Sequence, residues 1–201
     1  MRKSNKLALA IVVAALMGAC GKTQVLDTWT DSAVKPAPMK RIVVVGLSGD
    51  DVTRHLFEDT FSKELKSRGN DAVAGHTTLP KGLEANPDSA LAAVRRAGFD
   101  GILTARSLGV HTEETETMGA QYYIPDSGYM GWNGYYGDVS ATTYTTREEK
   151  AMVETHLYQT STGKLVWGAR SSTTSSGKLT ESMKDYARSV AADLGKSGFV
   201  K

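Results

Sequence analysis

The chain of 201 residues has one cysteine, Cys20, so no internal disulfide can form. Its four histidines, His55, His76, His111 and His156, lack the HExxH or paired spacing of a zinc site. His111 with Glu113, Glu114 and Glu116 could offer metal ligands, but such a Thr/Glu stretch reads as a solvated strand edge. No GxxxxGK[ST] loop is present. Gly46-Leu47-Ser48-Gly49 has no lysine, and Asp50 and Asp51 put negative charge where a phosphate would sit. In Ser176-Gly177-Lys178-Leu179-Thr180, Leu179 stands where a hydroxyl must reach magnesium. A GxSxG elbow is also missing, since Ser48 lies in GxSG. The expectation is therefore a non-enzymatic protein with no catalytic residue, no metal and no bound cofactor.

One apolar run stands out, Leu7 to Met17. Arg2, Lys3 and Lys6 precede it, and Gly18, Ala19 and Cys20 follow. Positive, apolar and small, in that order, is the pattern of an export signal, and the run is too short to span a bilayer. Met17-Gly18-Ala19-Cys20 resembles the bacterial lipobox. That resemblance implies cleavage of residues 1–19, a diacylglyceryl thioether on Cys20 and a further acyl chain, such as palmitate, on the freed amine. Two or more chains hold a protein stably at a membrane. Gly21, in place of the aspartate that retains lipoproteins at the inner membrane, implies the outer membrane, with the domain facing the periplasm. Lipidation would also consume an odd thiol that is a liability in an oxidising compartment.

Removing the signal changes the electrostatic reading. Of 24 basic residues, Arg2, Lys3 and Lys6 leave with it, so 21 face 22 acidic residues and the net charge becomes −1. The basic character belongs to the signal, which argues against a nucleic-acid partner.

Residues 20–40 are polar, contain Pro36 and Pro38, and show no periodicity; they read as a lipidated tether with a mean reach of roughly 25 Å. Trp29 is the exception, an aromatic expected to dock on the domain. From Arg41 to residue 201 the pattern is that of one α/β domain. Ile42-Val43-Val44-Val45, closed by Gly46, predicts a buried strand. Asp50-Asp51 opens a helix with Val52, Leu56, Phe57, Phe61 and Leu65 on one face, stopped by Gly69. Asp71 to Gly75 predicts a second strand, Asn86-Pro87 a helix start, and Phe99 to Ala105 a third strand. The alternation over Lys150 to Leu157, the turn Thr162-Gly163 and Leu165-Val166-Trp167 predict a hairpin over 150–172. Met183, Ala187, Val190 and Leu194 mark a final helix from about Thr180, stopping at Gly195. The order β-α-β-α-β-β-β-α, with about five strands and three packed helices, implies a mixed β-sheet.

Thr28-Trp29-Thr30-Asp31, Arg41 to Gly46, Phe57 through Leu65 to Gly69, and Glu154 to Trp167 resemble stretches of uncharacterised proteobacterial envelope lipoproteins. The element order is similar to the small α/β domain of curli-secretion-type lipoproteins, penicillin-binding-protein activators and the N-terminal domain of the Tol-system propeller protein. The shared positions are core, turn and cap positions, so the resemblance implies a fold and a location and transfers no catalytic residue.

The segment 119–137 is an insertion of another kind. It contains five of the eight tyrosines, Trp132, five glycines and no lysine or arginine. Tyr129, Trp132 and Tyr135 each follow a glycine in a three-residue repeat, so an extended three-per-turn chain would line them up. Exposed Tyr and Trp give contact area at low entropic cost, which makes these three candidate partner contacts. A loop folded back on its own sheet, or filler, is the equal alternative.

The expected function is that of an outer-membrane-anchored lipoprotein, held by its lipid, whose domain binds another envelope protein. A hydrolase acting on envelope polymer or lipid is the alternative. Self-assembly into a homo-oligomeric secretion component is the second.

Overall fold

Residues 23–80, 87–119, 142–175 and 177–201 are described in a computed structural model. In chain order the elements are β1 (Thr23–Thr30), β2 (Arg41–Gly46), α1 (Asp51–Ser67), β3 (Asp71–Ala74), α2 (Gly75–Thr78), α3 (Pro87–Arg96), β4 (Gly101–Gly119), β5 (Thr142–Gln159), β6 (Lys164–Thr174) and α4 (Leu179–Lys196). The strands form one mixed sheet in the order β1-β6-β5-β4-β2-β3. β2 runs parallel to β3 and β4, and the remaining pairings are antiparallel. The expected mixed α/β sheet is present, with six strands and four helices rather than five and three.

Hydrophobic burial explains the layers. Ile42, Val43 and Val44 are fully buried, as a strand covered on both faces requires. On one face, Phe57, Phe61 and Leu65 of α1 and Tyr186, Ala187, Val190 and Leu194 of α4 pack on Ile42, Val44, Leu103, Leu157 and Trp167. On the other, Val94 of α3 and Phe99 pack on Val43. The helix ends follow local chemistry. Asp50 caps α1 by accepting from the Thr53 N–H at 2.7 Å, and Gly69, at φ +90°, ends it where a side chain would be strained.

Three expectations are corrected. Residues 23–30 are not tether: β1 is an edge strand paired with β6, Thr23 opposite Thr173 and Thr30 opposite Trp167. Residues 31–40 connect it to β2 and bury Met39. Val52, placed on the buried stripe of α1, is exposed; it lies in the first turn, and burial on that helix begins only at Phe57. The third strand does not stop at Ala105 but runs to Gly119, and its partner begins at Thr142. The Thr/Glu-rich stretch is thus half of a two-stranded ribbon. From Thr112 opposite Glu149 to Gly119 opposite Thr142 it continues past the last residue of β6, for about 27 Å. Among the described residues no helix is long and apolar enough to cross a membrane.

Candidate functional site

In this sheet β2 lies between β3 and β4, so the chain crosses to one side of β2 through α1 and to the other through α3. The carboxyl ends of β2 and β4 therefore form a switch point, where open α/β sheets leave a crevice. A cleft of about 540 Å³ occupies it, with Val45, Leu47, Leu91, Val94 and Ile102 among its apolar walls. Arg54, His55, Glu58, His76, Thr104 and Tyr158 supply its polar groups.

Glu58 organises the polar corner. It sits on the inward stripe of α1, three residues before Phe61 and seven before Leu65, and is 1% exposed. Its Oε1 accepts from the Gly46 N–H at 3.0 Å, and its Oε2 from the His76 N–H at 2.7 Å. His76 Nδ1 lies 2.8 Å from the same Oε2, and Nε2 3.5 Å from Asp59. The His55 ring stacks on His76 with centroids 4.2 Å apart. One buried carboxylate thereby ties the end of β2 and the start of α2 to α1. Gly75 fits there because an added Cβ would lie 2.9 Å from the Val44 carbonyl.

This corner can bind and orient a polar group, but its carboxylate is already engaged by three donors. Nucleophilic catalysis needs a hydroxyl or thiol hydrogen-bonded to a base. Tyr158, whose hydroxyl lies 3.2 Å from His156 Nδ1, has its pKa raised by burial and by the nearby Glu154 carboxylate, which keeps it protonated. A second groove of about 420 Å³ lies between the amino ends of α1 and α4, floored by Phe57, Ala105, Val153 and Tyr186.

Cys20, Tyr129, Trp132 and Tyr135 lie outside the described residues. His111 lies opposite Lys150 at the base of the ribbon, and Glu113 and Glu114 fall on it, where Glu113 pairs with Lys150, and Glu114 with Arg147 at 2.7 Å. Among the described residues no group of three His, Cys, Asp or Glu side chains is placed to hold a metal. Trp29 lies on β1, opposite Gly168, and is half exposed. Sequence reasoning missed Glu58 as a site residue. The available signal was a carboxylate on the apolar stripe of a helix, a position that calls for a buried partner.

No family model matches the chain, and no curated protein matches it. Among solved structures of similar fold is the PelC dodecamer from Paraburkholderia phytofirmans, at 16% identity over 86% of this chain and 96% of that one, with a TM-score of 0.50. Lipoprotein GNA1162 from Neisseria meningitidis aligns at 15% identity over 81% of this chain and 100% of that one, with a TM-score of 0.41. At 16% identity the likeness to PelC is one of fold alone.

Proposed function

We propose that the chain is an outer-membrane lipoprotein, acylated on Cys20, whose periplasmic α/β domain acts without catalysis by contacting other protein chains in the envelope. The ribbon is the main support for this reading. Two strands paired only with each other are marginal in water, and where this pair leaves the sheet Thr112 to Glu114 and Arg147 to Glu149 are exposed. An element whose strands pair only with each other beyond the sheet is best explained by contacts outside its own domain. Its far end, Gly119, leads directly into the segment with Tyr129, Trp132 and Tyr135. A homo-oligomer is one form such contacts would take, since a similar fold occurs in the PelC dodecamer.

Crosslinking in intact cells tests the proposal. Wild type should yield a discrete adduct, either with copies of itself or with an envelope protein. A Tyr129→Ser, Trp132→Ser, Tyr135→Ser variant should lose it while keeping its melting temperature. An unchanged adduct removes the contact role.

The cleft at the switch point favours a second reading, a small-molecule site of the kind a hydrolase acting on envelope polymer or lipid would need. Turnover of such a substrate that is abolished by His76→Ala, with the fold intact, would select it over the first.

A further inference from the structure

Seven large apolar side chains are exposed among the described residues, and six of them lie at one end of the sheet. Leu47 follows β2, Val52 is in the first turn of α1, and Leu179 begins α4. Leu108 and Val110 lie on β4 beyond the point where Ala105 pairs with Gly46, and Leu26 stands at the bulge near the start of β1. Their exposures run from 44% to 73%. The seventh, Trp29, sits midway along the sheet. The opposite end, with the turns at residues 68–70, 97–100, 160–163 and 197–198, presents none of them. Isolated exposed aliphatics are ordinary, but their collection at one end is not.

The same end receives the chain from Cys20. Thr23 begins β1 opposite Thr173, and its hydroxyl lies 2.9 Å from that of Thr173, so the start of the strand is fixed. Only Gly21 and Lys22 separate Thr23 from Cys20, a reach of about 10 Å at full extension. With a lipid on Cys20, a spacer this short keeps the start of β1 within about 10 Å of the bilayer and the far end of the sheet turned away from it. The geometry points to a fixed pose: the end bearing Leu47, Val52, Val110 and Leu179 rests on the phospholipid surface as a membrane-contact face. This inference rests on the lipoprotein reading and deepens it, from a domain held on a tether to a domain docked against lipid. Contact is shallow, at the boundary of headgroups and acyl chains, because Glu113, Glu114, Glu148 and Glu149 of the adjoining ribbon cannot enter hydrocarbon. The ribbon leaves the sheet at this same end, so the pose requires it to turn along the headgroup layer, and the bulge between Ser107 and Gly109 bends β4 at its base.

The test uses the full chain, purified with its lipid and reconstituted in phosphatidylethanolamine/phosphatidylglycerol vesicles. Because acylation blocks the native thiol, single Val52→Cys, Leu179→Cys and Ser161→Cys variants each carry one fluorophore, and lipids bearing a nitroxide at the headgroup boundary quench it. Quenching at positions 52 and 179 should be about threefold stronger than at 161, as burial to the acyl boundary implies. Adding Leu47→Asp and Val110→Asp should weaken quenching at 179 without shifting the melting temperature. Equal quenching at the two ends, or quenching at 179 untouched by the aspartates, overturns the pose. Incorporation of labelled palmitate is read in the same preparation. Palmitate present with equal quenching rejects only the pose, whereas palmitate absent rejects the lipoprotein reading and the pose with it.

Discussion

Two regions of one sheet are built on different physics. Between β2 and β6 the strands are covered by α1 and α4 on one face, and Trp167, Leu103 and Leu157 have no contact with water. Beyond Lys150 the same β4 and β5 continue as a ribbon of threonines and glutamates, joined by their ladder and by exposed ion pairs such as Glu114 with Arg147. Glu113 even lies directly opposite Glu148, an unfavourable pairing that Lys150 offsets by reaching both. Burial stabilises the first region. The second is held by its backbone ladder and by ion pairs between exposed side chains.

If that division is right, Trp167→Ala has the largest effect. Removing a fully buried indole should cost about 4 kcal/mol, measured by urea unfolding. Glu58→Ala comes next, at about 3 kcal/mol, because the N–H groups of Gly46 and His76 lose their buried acceptor. Replacing residues 112–149 with an Asn-Gly turn should cost no more than about 1 kcal/mol, since the ribbon lies past the end of β6 and its residues 112–114 and 147–149 are exposed. A larger loss, with the unfolding midpoint collapsing, would show that the ribbon belongs to the folding unit.

Two smaller effects refine the contrast. Arg147→Glu should change stability by no more than about 0.5 kcal/mol, because both partners of the ion pair are exposed. Asp50→Ala should lower the melting temperature slightly by removing the α1 cap. The pKa of Asp50 is held below its ordinary value, chiefly by the Thr53 hydrogen bonds. A depressed folded value means the stabilisation is complete above about pH 4, where the unfolded carboxyl is ionised. It is lost as pH falls through the folded value. The difference between wild type and Asp50→Ala should therefore vanish in acid, and a difference that persists would assign the effect elsewhere.

How much of this could be read beforehand differs between the same two regions. The strand at Ile42–Val45, the three longer helices and the return at Thr162-Gly163 follow from periodicity and caps that act within a few residues. Thr23–Thr30 could not be seen that way. Its only support is a partner strand about 145 residues away, and its own alternation of threonine, valine and aspartate resembles a polar linker. The extension of β4 was hidden for a related reason. Glu113, Glu114 and Glu116 have poor strand propensity, and the backbone ladder to β5 overrides it. The cleft was legible only as an oddity, a glutamate on the stripe of Phe61 and Leu65.

The sequence alone determined the candidate address on Cys20, the alternation of strands and helices, and the positions where helices begin and stop. Those features depend on short-range patterns: a charged, apolar and small leader, capping carboxylates, and glycines that accept a positive φ. Only the tertiary structure decided that Glu58 joins Gly46 to His76, that β1 closes the sheet against β6, and that six exposed aliphatics share one end. Each is a meeting of segments far apart in the chain, and chain distance leaves no local pattern from which such a meeting could be read.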